Sequence, residues 1–368
     1  MSKDSAPEKW IYWEHTRVKH EILGKYLPPW LTILGKYHPR LCYFDGFAGR
    51  GEYLGKHGKT FPGSPLIAMQ IAEELIGQKR VKEVVPIFIE KDTHNFANLQ
   101  AVLEANKSRF PHVREPILAN EEFAKVISDV LQKVGPQLAP SFFFIDPFGF
   151  SGVPFSTIKG ILAIPRTEIF FTFMLRDINR FLVERHLWSV FDELYGTNEW
   201  RAFLEEPDRE RSLRELYTQQ LRDQANAKYT WDFRVCADER ILTLYYLIHA
   251  TKHFEGLKLM KGIMYRQGAG GMFAYLGPQD RAIRYQQRLF DDDIPSLKNF
   301  LLDRFAGRML TYDEVLEDSY MDTPFIDKHY REALKAIEGD GKSWVERVTS
   351  KTDRGLSGLD RITFFGDF

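Results

Sequence analysis

Short, wholly apolar runs recur along the first half of the chain, and each stops at an acidic residue or a glycine turn. Leu41-Cys42-Tyr43-Phe44 ends at Asp45 and the turn Gly46-Phe47-Ala48-Gly49-Arg50-Gly51, Val84–Ile89 ends at Glu90, and Ser141–Ile145 ends at Asp146-Pro147-Phe148-Gly149. Runs without polar alternation suit strands buried on both faces, which is the signature of a parallel sheet. A weaker run at Arg114–Leu118 and a fifth at Glu168–Phe173 extend the series. Between them lie segments with helical spacing: one from Ser64 to about Ile76, where serine can cap and Pro65 can start a helix, then Asn95–Leu103 and Glu121–Val134. This alternation predicts an α/β fold with a Rossmann-like doubly wound sheet rather than an antiparallel barrel. A helix over Trp10–Tyr37, kinked or split at Pro28-Pro29, leads into it.

Residues 176–225, rich in Arg, Glu and Leu, read as a helical insertion broken near Gly196. A helix over Asp238–Phe254 should follow, then two strands, Gly262–Tyr265 and Met272–Leu276, closing the sheet as an antiparallel hairpin around Gly268–Gly271. The first domain is thus expected over 1–287. From Leu297 the pattern changes to short helices at Leu297–Phe305, Thr311–Ser319 and Thr323–Ile337, with Pro324 in the first turn of the last. Strand-like runs at Trp344–Thr349 and Arg361–Phe365 flank a loop at Arg354–Gly358. Three helices and a hairpin predict a C-terminal winged helix-turn-helix over 297–368.

The 368 residues fit two such units at about 150 residues per domain. A polar Met1–Lys9 and the lack of any apolar run near ~18 residues point away from export or membrane spanning. Two distant cysteines, Cys42 and Cys236, offer neither a disulfide framework nor a cysteine metal cage, and a reducing cytoplasm is expected. Net charge of −1 supplies no global field for nucleic acid, so contact there would need a local patch.

The glycine turn must bring backbone close to a ligand, and Gly46, Gly49 and Gly51 remove side chains that would block it. Its Gly-x-x-Gly-x-Gly spacing differs from the dinucleotide fingerprint. Glu90 lies 41 positions after Gly49 rather than about 20, which disfavours nicotinamide; paired with Asp146-Pro147-Phe148-Gly149, the turn makes S-adenosylmethionine the expected cofactor. Asp45 and Phe47 belong to that turn. Asp45 could accept from a cofactor amine, and Glu90, with Lys91 beside it, could take both ribose hydroxyls or be a solvated loop charge. Asn120 or Glu121 could face adenine, or Asn120 could simply cap a helix. Asp146 could accept from an exocyclic amine while Pro147 and Phe148 hold a flat base by stacking; a plain strand-end turn is the alternative. The motif is similar to the Asp-Pro-Pro-Tyr signature of amino-methyltransferases, with Phe148 replacing the second proline. These readings place Asp146, Pro147 and Phe148 at the acceptor.

His15, Lys19 and His20 on the first helix could reach a phosphate or carboxylate near the cleft, or be packing residues. Arg176, Asp177, Asn179 and Arg180 could line it or form a charged face. Gly58-Lys59-Thr60 lacks the leading glycine of a phosphate loop, since that position is Tyr53. His249 and His253 have helical metal-ligand spacing without the glutamate or third ligand a zinc site needs, so no metal is expected. In the last module Lys328, His329, Arg331, Lys335, Lys351 and Arg354 could contact phosphates. From Leu297 onward, however, 11 Lys and Arg face 14 Asp and Glu, so protein docking is an equal reading.

Tyr43–Gly51, Gly63-Ser64-Pro65, Phe143–Gly149 and Trp13-Glu14-His15-Thr16 with Lys19-His20 together resemble the three-Cys-motif partner proteins of bacteria and phages. The resemblance implies a class I methyltransferase-type domain followed by a winged helix. It also implies association with a separate three-cysteine protein similar to radical S-adenosylmethionine enzymes, and a setting in DNA repair or modification.

Overall fold

The computed structural model describes residues 10–55, 58–237, 242–268, 273–277, 293–348 and 356–366. Contacts divide the chain into two compact units, Met1–Ile263 with Tyr275–Pro278, and Met264–Ala274 with Gln279–Phe368. The first unit begins with α1 (Glu14–Gly35), β1 (Arg40–Asp45), a small hairpin β2 (Glu52–Leu54) and β3 (Thr60–Pro62), and α2 (Ser64–Gly77). It continues with β4 (Glu83–Ile89), α3 (Thr93–Asn106), β5 (Ile117–Ala119), α4 (Phe123–Lys133), β6 (Ser141–Ile145), α5 (Phe155–Ala163) and β7 (Thr167–Phe173). Then come α6 (Leu175–Phe181), α7 (Trp188–Tyr195), α8 (Arg209–Asp223), β8 (Tyr229–Cys236), β9 (Thr243–Thr251), α9 (Phe254–Gln267) and β10 (Ala274–Tyr275).

The strands form one sheet in the order β10-β8-β9-β7-β6-β1-β4-β5. β5, β4, β1, β6 and β7 run parallel, and β9 lies antiparallel to both β7 and β8. The chain moves outward from β1 to β4 and β5 and then crosses back to β6, so the switch point of the sheet lies between β1 and β6. Helix α1 stays continuous through Pro28 and Pro29, because Tyr26, Leu27, Trp30 and Leu31 all bury their side chains, Tyr26 and Trp30 against Phe142 of the sheet. The other face carries Phe44, Ile87, Phe143, Ile169 and Phe171 in one core with α4 to α8. The 176–225 segment is therefore part of the helical layer: Ile178, Phe191, Leu213 and Tyr217 pack directly in that core.

The structure corrects the expectation between 238 and 276. Thr243–Thr251 is a strand rather than a helix, and all nine residues are buried. With both faces covered, the period-two signal vanishes, while its threonine, tyrosine and isoleucine content favours a strand. Its hairpin partner is β8, which the sequence reading did not find. Gly262–Tyr265 belongs to α9, where Leu257, Met260, Lys261 and Met264 recur at helical spacing and are fully buried. Of the second expected strand only Ala274–Tyr275 forms. The expected domain boundary at Gln287 lies outside the described residues.

The second unit contains α10 (Ile294–Phe305), β11 (Met309–Thr311), α11 (Tyr312–Ser319), α12 (Asp327–Gly339), β12 (Ser343–Glu346) and β13 (Arg361–Phe364). Its three strands pair antiparallel in the order β11-β13-β12, giving a winged helix-turn-helix. A reciprocal cap between Thr311 and Glu314 starts α11. Helix α12 starts at Asp327 rather than Thr323, because the Ile326 N–H donates to His329 Nδ1 at 3.0 Å, which leaves Pro324 ahead of the helix.

Candidate functional site

The ends of β1, β4 and β6 set Asp45, Glu90 and Asp146 along one edge of the sheet, since Asp45 is level with Phe88 and Phe144 in its two neighbours. Asp45 is fully buried and its carboxylate accepts from the Phe47 N–H at 3.4 Å and from the Ser64 hydroxyl. Ser64 is thus not the cap of α2; Gly63 holds that position, and Ser64 serves Asp45. Burial first, then the nearby Asp146 and Glu90 charges, push Asp45 up to about 7 against the Ser64 and Phe47 hydrogen bonds.

Glu90 is buried as well. Its two oxygens accept from the Gly49 N–H at 2.9 Å and the Asp92 N–H at 2.8 Å, and burial raises its pKa against those bonds. Each oxygen keeps a second lone pair. The start of the glycine turn is tied to the neighbouring strands: the Gly46 N–H donates to Phe144 O and the Ala48 N–H to Ile89 O, both at 2.9 Å. Gly49, at φ +62°, holds its Cα face against the Trp10 indole, and a Cβ there would collide with that ring. At Gly46 a Cβ would come within 2.7 Å of the Phe123 ring.

Trp10 arrives through a short N-terminal segment that docks on β2: Leu54 donates to Trp10 O at 2.6 Å and Tyr12 donates to Leu54 O at 2.9 Å. Its indole stands edge-on to Phe148 at 4.8 Å and near Tyr53 at 5.7 Å. These rings wall a cavity of about 480 Å³ whose lining also includes Trp13, His15, Lys19, Asn95, Asp146, Pro147, Thr172 and Tyr245. Thr172 Oγ1 and Asn95 Oδ1 are buried with no hydrogen-bond partner among the described residues. Such orphaned atoms in an aromatic cavity beside carboxylates suit a flat or cationic ligand that also forms hydrogen bonds.

The expected site residues separate into groups. Asp146, Pro147, Phe148, His15 and Lys19 meet in the cavity. Lys19 forms an ion pair with Asp146, both largely buried, so the carboxylate expected to meet an acceptor amine already holds an ammonium. His20 lies beside them, buried, with neither ring nitrogen partnered; burial and then Lys19 push it down to about 3, against Asp146. It packs against Tyr12 and Tyr53, so it is neutral. The Asn120 amide donates to Glu90 O at 2.8 Å and Lys91 O at 3.1 Å; it ties a loop and caps no helix. Glu121 pairs with Lys125, Lys91 is exposed, and Arg176 is an exposed partner of Asp177 outside the cavity. Trp10, Tyr53, Thr172 and Tyr245 were not found from sequence; Trp10, in a segment with no strong periodicity, carries no local mark of its place over Gly49.

In the winged helix, Lys328 and Lys335 are exposed on α12. Arg331 is committed to Asp327 at 2.7 Å, to Leu356 O and to the Tyr312 ring, and His329 is buried. Lys351 and Arg354 lie outside the described residues. His249 sits on strand β9, hydrogen-bonded to Glu168 at 3.0 Å, so the helical spacing to His253 does not exist. Among the described residues no cluster of three His, Cys, Asp or Glu side chains could hold a metal ion, and no helix is long and apolar enough to cross a membrane.

Strand order and register define a mixed α/β fold with a large, mostly parallel sheet like that of class I methyltransferases, together with a C-terminal winged helix-turn-helix. Residues 278–342 match the family model of the GMT-like wHTH domain. No curated protein has a significant sequence match to the chain. Among solved structures the chain is similar to a candidate class I S-adenosylmethionine-dependent methyltransferase from Listeria monocytogenes, with 8% identity, 66% of this chain and 64% of that chain covered, and a TM-score of 0.34. It therefore spans under two thirds of that relative. The N-terminal domain of human METTL16 in complex with SAH follows at 12% identity, 69% and 76% coverage and a TM-score of 0.36. M. jannaschii TYW2 in complex with AdoMet stands at 13%, 65% and 76%, and 0.30.

Proposed function

We propose that the first unit binds S-adenosylmethionine and directs methyl transfer to an amino group of a nucleic-acid base. The observation that carries this reading is the placing of Asp146-Pro147-Phe148 in an aromatic cavity beside the carboxylate edge of the sheet. The residues fit the cofactor: about 480 Å³ is within the usual ligand range, the orphaned Thr172 and Asn95 oxygens seek donors, and Asp146 lines the cavity while Asp45 and Glu90 lie buried at the neighbouring strand ends. When bound, that group supplies an electrophilic methyl carbon. Asp45 would accept from the cofactor amine, and the free lone pairs of Glu90 from the ribose hydroxyls. Asp146 would accept from the acceptor amine in exchange for Lys19, and the exposed Phe148 ring would stack on the base. Lys328 and Lys335 would meet phosphates. With this we place a cytoplasmic setting in DNA repair or modification and a three-cysteine radical-enzyme-like partner, as the sequence resemblance implies.

A second reading has its own support. The N–H groups of Gly46, Phe47, Ala48 and Gly49 are already satisfied and Trp10 covers Gly49, as in a domain that keeps the fold as an adaptor between a partner protein and DNA. Titration calorimetry with S-adenosylmethionine separates the two. Micromolar binding that Glu90→Ala abolishes, with label transfer to a nucleic acid that Asp146→Ala abolishes, supports catalysis. Absence of binding at millimolar concentration overturns the cofactor claim.

A further inference from the structure

The winged-helix sheet has two unlike faces. Leu310, Ile362 and Val345 sit side by side on the inner face, with Ile362 and Val345 buried. One residue along, Met309, Thr363 and Trp344 sit side by side on the outer face, where Met309 is 63% and Trp344 65% exposed. Alternation carries that face on to the exposed Phe365, directly after β13, and Val348 and Leu359 are exposed just beyond the other ends of β12 and β13. Five of the fourteen large exposed hydrophobics of the described residues thus lie in the strands of this one small sheet or just beyond their ends. Scattered apolar side chains are ordinary on a protein surface, whereas a concentration of them on one small element marks an interaction site.

We propose that this outer face is a two-fold interface between two copies of this chain. Three features select that occupant. The face is the flat side of a sheet, which packs best on another flat face; a groove, which would accept a helix, is not what a three-stranded sheet offers. Met309, Trp344 and Phe365 expose roughly 350 Å² between them, and the polar surface around them brings the face toward the ~800 Å² per partner of a stable pair. The face itself carries both signs: next to the Met309, Thr363 and Trp344 row, Arg361 and Glu346 are directly opposite across β12 and β13 at a loose, exposed 3.9 Å. A two-fold rotation can set each Arg361 over the Glu346 of the second copy, so the surface complements itself, as an isologous interface must. A phosphate backbone is a poorer match, because Glu346 stands at the centre of the face and the module from Leu297 onward has 14 acidic against 11 basic residues.

Sedimentation equilibrium or light scattering on the full chain over a range of concentrations tests this. The expected result is a concentration-dependent dimer that Trp344→Glu and Met309→Lys each weaken at least tenfold. Both positions are exposed, and an unchanged circular dichroism spectrum shows that each variant folds. Arg361→Glu alone and Glu346→Arg alone should also weaken the dimer, whereas the two together should restore it. A chain that stays monomeric at the highest concentration overturns the proposal. So does a dimer indifferent to all four substitutions, or a monomer whose nucleic-acid or partner binding is what Trp344→Glu removes.

Discussion

Replacing Asp45 with asparagine removes one buried carboxyl while keeping its shape, and the pH dependence of stability is where the change should show. Burial pushes this carboxyl from its ordinary 3.8 up to about 7. The folded chain therefore holds the proton more tightly than the unfolded chain does. A folded pKa raised in this way gives stability that is complete below the unfolded value and is lost as pH rises through the folded one. At ~1.4 kcal/mol per unit, the loss between about pH 4 and about pH 7 has a ceiling of about 4 kcal/mol, with relaxation around the site reducing it. Asparagine cannot ionise, so the unfolding free energy of D45N relative to wild type should climb by about 2–4 kcal/mol across that window. Urea unfolding followed by circular dichroism at intervals of pH measures it, and taking the difference cancels the other carboxylates. Two parallel curves would refute the reasoning, because they would mean that Asp45 titrates alike in both states. The same carboxyl should release a proton when a cationic ligand binds beside it, which calorimetry in buffers of different ionisation enthalpy detects.

Lys19→Met leaves Asp146 as a largely buried carboxylate without its ammonium and should cost about 3 kcal/mol; adding Asp146→Asn should recover most of it, and a double variant no better than the single would exclude the pair as the cause. Gly49→Ala meets both a left-handed backbone at φ +62° and the Trp10 ring, for a loss of about 3 kcal/mol in thermal or urea melts. Trp10→Ala in the same chain should remove the steric part, leaving ~1 kcal/mol relative to Trp10→Ala alone. His20, held down near 3 by burial, contributes stability present above its unfolded value of 6.5 and lost as pH falls toward 3, at most about 5 kcal/mol. His20→Phe should therefore shift the acid unfolding midpoint downward, and an unchanged midpoint would show that the imidazole is not buried as described.

The central sheet was legible because β1, β4, β6 and β7 are each short, apolar on both faces and bounded by a polar end, and those are local properties. β9 was misread for a related reason: it too is buried on both faces, but its Leu, Tyr and Ile spacing also satisfies a helix, and no turn signal inside it breaks the tie. Which pattern wins is decided by β7 and β8 on either side of it. The winged helix was legible from its caps and turns, and its third helix was drawn too long because the His329 contact that starts α12 involves a side chain turned back on the backbone.

Asp45, Glu90 and Asp146 could be named from sequence because a parallel strand delivers its last residue to the same edge as its neighbours. The order of residues by itself determined that edge, the glycine turn that shapes it and the two-unit organisation. Only the tertiary structure decided what faces the edge. Lys19 reaches Asp146 across 127 positions, and Tyr245 bonds the carbonyl of His15 across 230. Trp10 takes the place that Gly49 leaves open. Cavity walls are contacts between residues far apart in sequence, set by how helices pack on the two faces of a sheet. No local periodicity encodes them.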